Sequence, residues 1–95
     1  MINRVINREQ RLEELTYCSN VLLREREKLE KKLLRYRERM ETDYYLTEKQ
    51  FGKLMKKSDA VTEEIENLTA GIRKLSADIS ALKYQLKWVI NMKRN

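Results

Sequence analysis

Residues 61–89 read VTEEIENLTAGIRKLSADISALKYQLKWV, and the spacing of their apolar positions decides the fold. Val61, Ile65, Leu68, Ile72, Leu75, Ile79, Leu82, Leu86 and Val89 follow one another at steps of four and three without an error. Such steps place every one of these side chains on a single stripe of a helix, whereas a strand would need steps of two. In heptad terms Ile65, Ile72, Ile79 and Leu86 occupy a, and Leu68, Leu75 and Leu82 occupy d. This is the pattern by which one helix packs along another.

Toward the N-terminus the same period continues less cleanly. Leu12, Leu15, Leu22, Leu29, Leu33, Tyr36 and Met40 hold a heptad frame, but Ser19 and Arg26 stand at a positions. The doublets Leu22/Leu23, Leu33/Leu34 and Tyr44/Tyr45 recur every eleven residues. That spacing fits a straight or slightly right-handed helix, and the second member of each doublet widens the apolar stripe.

Composition agrees with long helices. Charged residues make up 38% of the 95, proline is absent and there are two glycines. Chains this charged are disordered when they lack regular apolar spacing, and here the spacing is regular. The expected fold class is all-α, in one of two arrangements. One is a continuous coiled-coil helix of about 90 residues, about 135 Å long, assembling as a parallel or antiparallel oligomer. The other is an antiparallel two-helix coiled-coil hairpin reversing near residues 43–47. A single domain over residues 1–95 would then hold helix 1 at roughly 8–42 and helix 2 at roughly 48–92.

Two features favour the hairpin. Thr47 and Gln50 have the spacing of a capping box, and Leu46 with Phe51 has that of a hydrophobic staple around it. Thr42-Asp43-Tyr44-Tyr45, just before them, has low helix propensity. Charges on the flanks point the same way. A parallel dimer would set Glu25 beside Glu30, Lys32 beside Arg37 and Arg26 beside its own copy. Folding back at Thr47 instead sets Leu12 opposite Leu82, Leu15 opposite Ile79, Leu22 opposite Ile72 and Leu29 opposite Ile65. Lys32 then approaches Glu64 and Glu9 approaches Lys83, with no repulsive pair.

The residue inventory argues against an enzyme. There is no histidine and one cysteine, so neither a catalytic Cys–His or Ser–His set nor a Cys/His zinc site can be assembled. No glycine-rich phosphate loop is present, and the carboxylates fall on solvated faces. Cys18 lies on or beside the apolar stripe and reads as a small buried hydrophobe. No cofactor, metal or small-molecule substrate is expected. No apolar run is long enough to span a membrane, and charge interrupts the first residues before a secretory leader could form. The expected location is cytoplasmic.

Two surfaces remain as candidate sites. Arg24, Lys28, Lys31, Arg35 and Arg39, with Lys32 at the edge, make a basic ridge on the outer face of helix 1. It is a candidate for phosphates of nucleic acid or for an acidic partner, although Glu25, Glu27, Glu30 and Glu38 interleave. On helix 2, Ala77, Ala81, Tyr84 and Trp88 fall on f and c positions, which in a heptad helix are normally charged. They form a second apolar stripe, and Tyr and Trp are preferred interface anchors. Ile2, Val5 and Ile6 are alternative cover for it from within the chain.

The functional expectation is a non-enzymatic helical adaptor or assembly protein. It would bind partner helices, or itself, through that face and through a seam of Leu12, Leu15, Leu22, Leu29, Leu33, Ile65, Leu68, Ile72, Leu75, Ile79, Leu82 and Leu86. Alternatives are a basic nucleic-acid-binding accessory protein, and a small helical inhibitor or chaperone of one target protein.

Overall fold

The computed structural model describes residues 2–94, with side chains described for residues 7–92. The chain is a helical hairpin of two α-helices, α1 (Ile2–Thr42) and α2 (Glu48–Arg94), and no strand occurs among the described residues. α1 begins upstream of residue 8, because nothing between Ile2 and Asn7 interrupts a helix.

The reversal occupies residues 43–47 and is written in local hydrogen bonds. Asp43 N–H donates to the Arg39 carbonyl at 3.0 Å, the last bond of the α1 ladder. The Thr42 hydroxyl folds back onto the Glu38 carbonyl at 2.7 Å. The Asp43 carboxylate accepts the Tyr45 N–H at 3.1 Å, closing an Asx turn that leads the backbone away from the helix axis. It also pairs with Arg39 at 3.8 Å, a cation in the last turn of α1, where the helix dipole favours one.

α2 then starts on the predicted capping box. Gln50 N–H donates to Thr47 Oγ1 at 3.1 Å, and Thr47 N–H donates to Gln50 Oε1 at 3.0 Å. The box satisfies two backbone donors that the first turn leaves without an intrahelical partner. Glu48 in that turn adds a favourable charge at the positive end of the dipole.

Packing between the helices forms two units. The turn unit comprises Leu23–Ala70, and the end unit joins α1 up to Leu22 with α2 from Gly71. In the turn unit Leu33, Leu54 and Val61 are buried together with Ser58. Arg26, polar at an a position, donates from Nη1 to Thr69 Oγ1 at 3.4 Å and pairs through Nε with Glu30 at 3.5 Å. The Thr69 hydroxyl in turn donates to the Ile65 carbonyl at 2.8 Å. Ser58 Oγ, by contrast, is buried with no hydrogen-bond partner.

In the end unit Leu15, Ile72 and Leu86 are buried with Ser19. Leu22 Cδ1 lies 3.5 Å from where a Cβ on Gly71 would sit, one residue from the Leu22–Ile72 pairing of a chain folded back at Thr47. Among the described residues six apolar side chains are buried in the two units, each stabilising by about 1.5–3 kcal/mol at full burial. None reaches complete enclosure, as expected where one helix covers only one side of its neighbour.

Three expectations are corrected. Cys18 is exposed rather than buried, because the frame places it at a g position, at the edge of the contact. Lys32 forms no ion pair with Glu64, nor Glu9 with Lys83. Ion pairs among the described residues join i to i+3 or i+4 within one helix, since a long side chain reaches a carboxylate one turn away at less entropic cost. Lys32 instead stands 6.0 Å from the centre of the Tyr36 ring. Glu25 and Glu64 line one shallow groove with Leu29, Asn67 and Leu68, and Lys28 stands 3.5 Å from Glu25.

Candidate partner-binding face

Ala77, Ala81, Tyr84 and Trp88 are all exposed on α2. Trp88 is 55% and Tyr84 66% accessible, large values for side chains of this apolar area. Their position follows from the frame: the a and d residues of α2 turn toward α1, so c and f residues turn away. Tyr84 and Trp88 are one turn apart and therefore neighbours on the helix surface. Alanines at 77 and 81 keep the same face low over the two preceding turns, so a second helix could approach closely there.

α1 contributes to the rim. Arg8, half-buried, lines a shallow open groove with Tyr84, Gln85, Trp88 and Val89. A second groove, lined by Arg11, Leu15, Asp78, Ala81, Leu82 and Gln85, adjoins it through Gln85. The face is thus an apolar strip on α2 bordered by two guanidinium groups of α1. Arg11 already holds Glu14 at 3.5 Å, while Arg8 has no carboxylate within pairing distance among the described residues. The apolar spacing does not mark Arg8, Arg11 or Gln85: one step before Leu12 the α1 frame lands on Arg8 at d, and Arg11 and Gln85 fall at g positions that flank the seam. On the opposite flank Lys83 lines a groove with Leu12, Glu13, Thr16, Tyr17 and Asn20. The side chains of Ile2, Val5 and Ile6, alternative cover for Tyr84 and Trp88, lie outside the described residues.

The seam residues divide by depth. Leu15, Leu33, Ile72 and Leu86 are buried. Leu12, Leu22, Leu29, Ile65, Leu68, Leu75, Ile79 and Leu82 are half-buried. The α2 frame also extends upstream of Val61 to Ser58 and Leu54, both buried. The second members of the eleven-residue doublets, Leu23, Leu34 and Tyr45, are exposed, so within the chain they widen nothing.

The basic ridge is exposed at Arg24, Lys28, Lys31, Lys32, Arg35 and Arg39. Three of its charges are engaged locally: Lys28 with Glu25 at 3.5 Å, Lys31 with Glu27 at 3.9 Å, and Arg39 with Asp43 at 3.8 Å. Arg24 and Arg35 have no carboxylate within pairing distance among the described residues. A phosphate arriving here would compete with carboxylates already in place, which lowers the counterion release that drives such binding.

Among the described residues no group of three or more acidic, cysteine or histidine side chains is arranged to hold a metal ion. No described helix is long and apolar enough to cross a membrane. Comparison with protein-family models, with curated proteins and with solved structures finds no match to this chain.

Proposed function

We propose that the protein is a non-enzymatic helical adaptor or assembly protein, acting in a reducing, cytoplasmic setting. It binds a partner helix, from a second copy or from another protein, across Ala77, Ala81, Tyr84 and Trp88. The observation that carries this reading is the exposure of Trp88 and Tyr84 on the outer face of α2. Burying two aromatic side chains removes a large apolar area from water, and aromatic anchors of this kind dominate binding energy at interfaces. A coiled-coil seam spent largely within the hairpin leaves this face as the surface offered outward. Arg8 and Arg11 at its border suit a partner helix with carboxylates flanking its apolar stripe.

The local pairing of the basic ridge favours this reading over nucleic-acid binding. An inhibitor or chaperone of one target would use the same face and differ only in the partner's identity. Light scattering over a range of concentrations tests self-association, and affinity purification with the wild-type and variant proteins tests a separate partner. Tyr84→Ala with Trp88→Ala should weaken the assembly found by either route by about thirtyfold or more. A protein monomeric at every concentration, whose purified complexes are the same with and without the two aromatics, overturns the reading. Trp88 is the only tryptophan, so a blue shift of its emission on assembly reports its burial directly.

A further inference from the structure

The turn unit carries a second, chemically different surface. Tyr44 and Tyr45 are 91% and 94% accessible, and Phe51 and Met55 just beyond them are also exposed. The tyrosines are not on a slack loop. The Asp43 carboxylate holds the Tyr45 N–H on one side, and the Thr47–Gln50 box closes the other. Between residues 44 and 57 there are four lysines, Lys49, Lys53, Lys56 and Lys57, against the single acid Glu48. None of the four has a carboxylate within pairing distance among the described residues, whereas half the basic ridge does. Lys49, Lys53 and Lys56 follow at steps of four and three, so they share one face of the first turns of α2.

From this juxtaposition we infer that the turn end of the hairpin docks on an anionic lipid surface. A reversal is convex and projects its side chains, which suits a soft interface that closes around them. A rigid ligand would instead need a cleft. Tyrosine places its ring at the acyl boundary and its hydroxyl among the headgroups. Phe51 and Met55 lie on the other side of α2 from Lys49, Lys53 and Lys56, so the docking surface consists of the tyrosine pair and these lysines. Uncommitted lysines reach the headgroups on flexible stems, each raising partitioning about fivefold near an acidic leaflet. The proposal uses no residue of the α2 partner face, so the two readings stand or fall separately.

Flotation of the full chain with phosphatidylcholine–phosphatidylserine vesicles, against phosphatidylcholine alone, tests it. Binding should require the acidic lipid and weaken with salt. Tyr44→Ala with Tyr45→Ala should lower it about tenfold or more, and Lys53→Glu with Lys56→Glu by about twenty-five-fold or more. Arg24→Glu with Arg35→Glu should lower it distinctly less. Circular dichroism checks that each variant stays helical, as expected for exposed positions. Absence of binding at low salt, or an equal loss from the ridge variant, overturns the proposal. So does displacement from vesicles by a single-stranded oligonucleotide that needs the same tyrosines, which would make nucleic acid the ligand. A second readout places the contact. Tyr45→Trp in a Trp88→Phe background should be quenched by brominated lipid, and Trp88 in the wild-type chain should not. The reverse pattern would assign the lipid contact to the α2 face and overturn the tip assignment.

Discussion

Two outward faces of the hairpin, residues 24–39 of α1 and residues 77–88 of α2, solve the problem of meeting water in opposite ways. The α1 face is dense in charge, and much of that charge is answered one turn away: Lys28 by Glu25, Lys31 by Glu27 and Arg39 by Asp43. The α2 face is built of alanines and two aromatics, with Trp88 and Tyr84 more than half accessible. A helix surface laced with i,i+3 and i,i+4 pairs is complete in water and asks for no partner. A surface with apolar area on the side away from its own helix partner is buried only when something else arrives. The difference separates a face that serves solubility from one available for recognition, although both lie on helices of similar length.

That contrast requires the seam, and not either outer face, to hold the fold. Ile72→Ala, at a buried a position in the end unit, should cost about 2–4 kcal/mol of stability. Urea unfolding followed by helical circular dichroism measures it. A loss near zero would mean that the inward stripe is not what joins the helices. Tyr84→Ala with Trp88→Ala comes next, weakening assembly by about 2 kcal/mol or more, roughly thirtyfold. The same double variant should unfold within about 0.5 kcal/mol of wild type. If it unfolds as readily as the Ile72 variant, the α2 face belongs to the fold and has nothing left to offer.

Two substitutions of intermediate size probe the turn unit. Thr47→Ala removes one side of the capping box and should destabilise by about 1 kcal/mol, seen as a lower urea midpoint at unchanged slope. Ser58→Ala acts in the opposite direction. Its Oγ is buried without a partner, so deleting it removes a desolvation penalty and should stabilise by about 1 kcal/mol. The Thr62 hydroxyl bond to the Ser58 carbonyl, 2.8 Å, involves the backbone and survives the change. A loss of stability on Ser58→Ala would show that the hydroxyl has a partner in solution.

These residues also show what was legible beforehand. The α2 stripe could be read because nine apolar positions recur without a polar interruption, and the reversal because Thr47 and Gln50 carry the chemistry of a helix start. Leu54 was hidden because Ser58 stands between it and Val61 at an a position, which breaks the apolar count without breaking the geometry. Arg8 is hidden because it is itself a polar residue at d, one step before the first leucine of the α1 frame. The long-range ion pairs do not form even though Lys32, Glu64, Glu9 and Lys83 have no nearer ion-pair partner among the described residues, because holding two long exposed side chains together across the seam costs more entropy than a screened pair returns. Cys18 misled because a position beside a stripe is buried only if the neighbouring helix extends over it. Tyr44 and Tyr45 read both as weak helix formers and as the last apolar doublet of the eleven-residue spacing, whereas the turn holds both side chains out in solvent.

The smallest expected effect is the most direct check on the α1 face. Lys28→Ala removes the ammonium 3.5 Å from Glu25, with both side chains more than half accessible. Screening by water and salt keeps such a pair below about 0.5 kcal/mol. The stability loss should therefore be small at low salt and vanish in high salt. A double-mutant cycle of Lys28→Ala and Glu25→Gln at both ionic strengths measures the coupling. If the loss persists in high salt, Lys28 acts through packing of its stem, and the α1 face takes part in the fold instead of only keeping it in solution.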